Sequence, residues 1–125
     1  MAELKIKSFS KRELNFLLLA ARVAESSLCR QRVGAVVVKG GRVLGTATNA
    51  DYNIPSNLEE SKIAWHASVC AERRALSAIP GNVEGAVVFV ARVARKDGSL
   101  AVSKPCWRCL RVMGERGIKR VVCLG

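Results

Sequence analysis

Apolar positions along the chain gather into runs separated by polar and Gly/Pro breaks, and each run predicts one element. Ser10-Lys11-Arg12-Glu13 stands ahead of a largely apolar stretch at 14–23 and has the form of a capping box, so a first helix is expected there. The apolar run at 33–38 ends at Lys39-Gly40-Gly41, and a second run at 42–46 follows, which predicts a strand hairpin. Residues 49–63 are polar, contain Pro55 and predict a loop. Residues 65–79, rich in Ala, Leu, Glu and Arg, predict a second helix stopped by Pro80-Gly81. A buried strand is expected over 85–93 and a turn over 95–99. Pro105 suits the first turn of a third helix that reaches about Arg116 and ends at Gly117, and 118–124 predicts a last strand.

The order helix, two strands, helix, strand, helix, strand implies an α/β arrangement, a mixed sheet of about four strands flanked by helices. No repeat, low-complexity tract or linker divides the chain, and at 125 residues it is expected to form a single domain, 1–125. Half the residues are apolar, which indicates a globular protein. No stretch approaches 18 unbroken apolar residues and the start Met-Ala-Glu-Leu-Lys lacks a secretory pattern, so no membrane role is expected. Five cysteines, an odd number, suit a reducing compartment and a cytoplasmic location.

Candidate chemistry is concentrated in two short runs, Cys70-Ala71-Glu72-Arg73 and Pro105-Cys106-Trp107-Arg108-Cys109. Three thiols and one carboxylate are what a catalytic zinc site with an open coordination position needs, whereas a structural site would want a fourth protein ligand. Any one cysteine alone is a small buried hydrophobe by default, and Cys29 and Cys123, beside or within apolar runs, are read that way. Arg74 is read as a surface residue. His66 is the one histidine, but His66-Ala67-Ser68 would put a serine where a proton-transferring carboxylate belongs. Cys70 is therefore the preferred ligand, with His66 left as a neighbour four positions away on the same predicted helix.

The spacing C-x-E…P-C-x-x-C resembles that of the zinc-dependent cytidine and deoxycytidylate deaminases, and the resemblance runs from about Ser27 to the end of the chain. It implies a three-layer cytidine-deaminase-like fold with Zn²⁺ held by Cys70, Cys106 and Cys109. Glu72 would be the catalytic proton shuttle between water, the ring nitrogen and departing ammonia. Three thiolates leave the ion with a net charge of about −1, and the resemblance assigns the balancing cation to Arg73. Gly45-Thr46-Ala47-Thr48-Asn49-Ala50-Asp51 is similar to the family's sugar-binding stretch, which makes Asn49 and Asp51 substrate contacts together with Ala71, although both polar residues also suit an ordinary turn. The run from Cys29 to Lys39 looks more like the deoxycytidylate branch. The implied reaction is hydrolytic deamination of cytosine in cytidine, deoxycytidine or their monophosphates, by a homo-oligomer. Family members usually continue with another strand and helix beyond the fourth strand, so those elements are expected to be absent or supplied by a neighbouring subunit.

Charge brings in a second class of partner. A formal net charge of +11 suits a phosphate or a polyanion better than a neutral nucleoside. The bases are scattered: Lys5, Lys7, Lys11 and Arg12; Arg92, Arg95, Lys96 and Lys104; Arg108, Arg111, Arg116, Lys119 and Arg120. Should they converge near the thiols, the substrate would be cytosine within single-stranded DNA or RNA, with Trp107, Trp65 or Phe89 available to stack on a base. A zinc-stabilised nucleic-acid-binding module without activity is the non-enzymatic alternative, against which Glu72 argues.

Overall fold

The structure is a computed structural model that describes residues 9–29, 31–51, 68–103 and 105–124. Helix α1 spans Lys11–Ala24 and opens with the expected box: the Glu13 amide donates to Ser10 Oγ (3.1 Å) and the Ser10 amide donates to Glu13 Oε1 (3.0 Å). The other carboxylate oxygen of Glu13 takes the Arg120 guanidinium, which ties the helix start to the last strand. The Ser10 amide foremost, with the Ser10 hydroxyl and Arg120, holds the Glu13 carboxyl below its usual range.

Strand β1 (Arg32–Lys39) pairs antiparallel with β2 (Arg42–Thr48) through Gly40 and Gly41, whose φ values of 59° and 79° are the conformation a two-residue hairpin turn requires. A two-residue strand, β3 (Ala50–Asp51), pairs with β4 (Ser68–Val69) as a separate ribbon leading into α2 (Ala71–Ser77). Strand β5 (Val87–Val93) lies antiparallel to β1 and is central to the sheet. Its far edge is shared: β7 (Arg120–Cys123) runs parallel along Val87 to Val90, and β6 (Leu100–Ala101) pairs antiparallel with Arg92 and Val93. Between those two strands lies α3 (Trp107–Glu115).

The alternation of β1 and β5 produces three layers. Ala35, Val37, Val88 and Val90 form one core with Ala71, Ala75 and Leu76 of α2 and Cys109 and Met113 of α3. Val36, Val38, Phe89, Ala91 and Val93 form the other with Leu17, Ala20 and Ala24 of α1. The sheet therefore has α1 on one side and both cysteine-bearing helices on the other.

Gly34 sets the close approach of α1 to the sheet. A Cβ there would meet Ala20 O at 2.2 Å and Ala24 N at 2.5 Å, backbone atoms that no rotamer change can move aside. Gly34→Ala is expected to destabilise the fold by about 2–3 kcal/mol. On a domain of this size that lowers the melting temperature by on the order of 10 °C. A melting curve within a degree or two of wild type would show that α1 can ride over the added methyl group.

Several expected boundaries move. Helix α2 starts at Ala71, because Ser68–Val69, within the interval expected to be helical, is pulled into pairing with Ala50–Asp51, the latter two expected in a loop. The helical interval proposed between His66 and Cys70 is thus broken; His66, Trp65, Lys5, Lys7 and Lys104 lie outside the described residues. Pro105 precedes the N-cap Cys106 of α3 and does not occupy its first turn. Strand β6 was expected as neither strand nor turn, since two residues carry too little pattern to register. Phe89 packs in the core against Phe16, ring centroids 5.2 Å apart, on the α1 side of the sheet and away from the thiols. Trp107 is exposed, with the Arg108 guanidinium 5.4 Å from its ring centre. Cys29 and Cys123 are buried, as expected. No helix among the described residues is long and apolar enough to cross a membrane.

Candidate active site

Both cysteine runs open helices. Cys70 is the N-cap of α2 and Cys106 that of α3, each in extended conformation, and the Cys106 sulfur accepts the Cys109 amide at 3.4 Å. Cys109 sits in the first turn of α3 and faces inward, fully buried. The sulfurs of Cys70 and Cys106 are 3.8 Å apart, those of Cys106 and Cys109 3.3 Å, and all three lie within 4.8 Å of one another. A tetrahedral ion with metal–sulfur bonds of about 2.3 Å needs sulfurs about 3.8 Å apart. The donor set and its spacing thus fit a metal ion on three thiolates.

Helix starts favour negative charge, so both cap positions suit a thiolate. Hydrogen bonding from the Cys109 thiol, and secondarily from Cys106, with Arg73 and Arg108 nearby, lowers the Cys70 thiol to about 6. Cys109, hydrogen-bonded to that ionised sulfur and buried, is pushed up. Glu72, in the first turn of α2, is only 3% exposed, an unusual burial for a carboxylate. Desolvation, reinforced by the charge on Cys70, raises its carboxyl to about 7.

A cavity of about 350 Å³ opens in front of these groups, small but within the range of small-molecule sites. Cys70, Ala71, Glu72 and Cys106 form its helix side, and Gln31, Val33, Asn49, Arg92, Val102 and Ser103 the rest of its wall. Asn49 follows β2 and is locked in place. Its Oδ1 accepts from Ser27 Oγ (2.7 Å) and from the Val33 amide (3.0 Å), and its Nδ2 donates to Gln31 O (2.7 Å). With both oxygen lone pairs engaged, one N–H of the amide remains for a ligand. Asp51 stands two residues on in β3, paired through its backbone with Ser68, and its side chain lies outside what the structure describes. Arg74, read as surface, is exposed but donates to Thr48 O at 2.7 Å and so fastens α2 to β2.

The sequence brings forward Cys70, Ala71, Glu72, Cys106, Cys109 and Asn49; the fold brings five of these to one cavity, and the buried Cys109 joins Cys70 and Cys106 in the sulfur cluster behind its wall. Gln31, Ser103 and Arg92 were not singled out as site residues. For Arg92 a signal existed: Val88, Val90 and Arg92 alternate along β5, so the arginine continues the apolar row facing α2 and α3.

Comparison with known proteins agrees with this geometry. The profile of the family described as the cytidine and deoxycytidylate deaminase zinc-binding region matches residues 10–125. The deoxycytidylate deaminase of Mycobacterium phage D29 is 34% identical over 124 residues, covering 86% of this chain and 89% of that protein. The crystal structure of dCMP deaminase from cyanophage S-TIM5 in complex with dCMP and dUMP superposes with a TM-score of 0.65 at 23% identity, over 90% of this chain and 82% of that one. Cytidine deaminase from Mycobacterium tuberculosis superposes with a TM-score of 0.57 at 23% identity, over 87% and 82% respectively. At that identity the two structures establish the shared fold, and the family follows from the profile and the phage relative. This protein belongs to the cytidine and deoxycytidylate deaminases, a family of metal-dependent enzymes.

Proposed function

We propose that the protein hydrolyses deoxycytidylate to deoxyuridylate and ammonia, using Zn²⁺ held by Cys70, Cys106 and Cys109. The observation that carries this reading is the buried Glu72 carboxylate beside three clustered thiols at one wall of a nucleotide-sized cavity. A scaffolding metal site has no use for such a carboxylate, and burying one costs stability unless it is paired and hydrogen-bonded, a cost that a chemical task explains.

When bound, zinc supplies the Lewis acidity that makes water a nucleophile near neutral pH. Glu72 then takes a proton from the attacking water and delivers it to N3 of the cytosine ring as oxygen bonds to C4. The remaining hydroxyl proton passes by the same carboxylate to the exocyclic amine, which leaves as ammonia as the C4–N bond breaks, with a carbonyl left at C4. Arg73, one of the two cations acting on Cys70, offsets the negative charge of the thiolates. Ala71, buried beside Glu72, walls the base, while Asn49 offers its remaining N–H to the sugar and Asp51 shares a sugar hydroxyl.

The monophosphate is preferred over the free nucleoside for two reasons. The phage relative acts on deoxycytidylate by its name, and a net charge of +11 favours an anionic over a neutral substrate. The test is ammonia release with product identification from cytidine, deoxycytidine, CMP, dCMP and a cytosine-containing single-stranded oligonucleotide at low and moderate salt. The expected result is the highest kcat/KM on dCMP, and turnover confined to the oligonucleotide would replace this reading with a nucleic-acid editor.

A further inference from the structure

The active-site cavity contains an arginine to which the chemistry above assigns no task. Among the described residues, Arg92 is the cation in the cavity wall. Its position follows from strand register: Arg92 pairs with Val33 on β1, and Val33 is the next β1 residue before the Gly34↔Thr48 pair, with its carbonyl taking the Asn49 amide (3.1 Å). Asn49, Val33 and Arg92 therefore form one row across the sheet, on the face that carries α2 and α3. An apolar residue would continue that face, as Val88 and Val90 do. The guanidinium is aimed by its Nε, which donates to Val102 O at 3.0 Å, and its two Nη groups make no hydrogen bond with the described residues. Neighbouring arginines are otherwise engaged: Arg74 on Thr48 O, Arg32 on Ala94 O, and Arg73 and Arg108 beside Cys70.

We propose that Arg92 holds the 5′-phosphate of the substrate and is the residue that makes this enzyme prefer a nucleotide to a nucleoside. Two Nη groups on a guanidinium fixed through Nε present the paired donors that phosphate oxygens accept in bidentate fashion. Asn49 and Arg92 lie two strand spacings apart, roughly 10 Å between backbones. Their side chains reach inward across that gap, and a sugar and its phosphate span what is left. With the base at Glu72 and the sugar at Asn49, Arg92 lies where the phosphate would fall. This assignment rests on the nucleotide-deaminase reading of the same cavity.

The test compares wild type, Arg92→Gln and Arg92→Lys as metal-loaded proteins. It measures kcat/KM on dCMP and on deoxycytidine, and dUMP and deoxyuridine binding by calorimetry. Arg92→Gln is expected to lower kcat/KM on dCMP about 100-fold, mostly through KM, the scale expected for losing a pair of charge-assisted hydrogen bonds. Turnover of deoxycytidine should fall far less than that of dCMP, and Arg92→Lys should recover part of the loss on dCMP. Equal losses on nucleotide and nucleoside would overturn the proposal, because Arg92 would then serve the base or the fold. Unchanged dCMP kinetics would overturn it as well. A wild-type protein that turns over neither substrate, yet binds dUMP over deoxyuridine in an Arg92-dependent way, would sink the deaminase reading and uphold the phosphate anchor.

Discussion

Replacing Glu72 by Gln is expected to lower turnover by about 10²–10⁴-fold, the range that a positioned proton-transfer group contributes, with metal content unchanged. The substitution keeps the side chain's volume and a polar tip but removes the ability to exchange a proton. Glu72 is almost wholly buried in the first turn of α2, and burial raises its carboxyl to about 7, which means the charged form is poorly accommodated. A neutral amide in the same space escapes that penalty, so the melting temperature of Glu72→Gln should equal or exceed that of wild type. Activity and stability then move in opposite directions, a signature that a structural carboxylate would not produce. Loss of metal or of the folded state in the Gln variant would remove Glu72 from its proton-shuttling role. Retained activity would do the same.

Much of this arrangement is legible in the sequence because it depends on neighbours within a few residues. Ser10 and Glu13 cap a helix wherever an apolar run follows them, and Gly40-Gly41 turns a hairpin by local geometry alone. The same holds for C-x-E and C-x-x-C, since a cap cysteine and a residue in the first helical turn are brought together by the helix itself. What is not local is less visible. Residues 65–79 have helical composition, yet Ser68–Val69 becomes a strand because Ala50–Asp51 lies alongside, 19 positions away by the register of Ala50 and Val69, or 17 by that of Asp51 and Ser68. Asn49 looks like a turn former or a sugar ligand, and the fold makes it a latch between Ser27, Gln31 and Val33 with one donor to spare. Arg92 reads as one scattered base among many until strand pairing puts it in a row with Val33 and Asn49. Net charge is a sum over the chain and carries no direction, which is why it could suggest a polyanion without placing one.

Removing the metal is expected to abolish turnover and to lower the melting temperature by on the order of 10 °C, the shift that a loss of a few kcal/mol produces in a domain of this size. The physical reason lies in α2 and α3. Seven and nine residues long, they are too short to be stable alone, and the clustered sulfurs of Cys70 and Cys106 join their first turns. Once the cation is withdrawn, the ionised Cys70 sulfur and the buried Glu72 carboxyl are left close together with no metal charge between them. The proposed ligands should not respond alike. Cys106 is exposed, so Cys106→Ala should lose the metal and fall to the stability of chelator-treated wild type, with little further cost. Cys109 is fully buried in the core that includes Met113 and Val121, so Cys109→Ala should lose the metal and in addition about 1 kcal/mol of packing. The two variants therefore separate under chelator, where the metal contributes nothing to either. Metal analysis with thermal melts, with and without chelator, decides the point. If chelation leaves the melting temperature in place and Cys106→Ala retains its metal, the three thiols are not the ligand set.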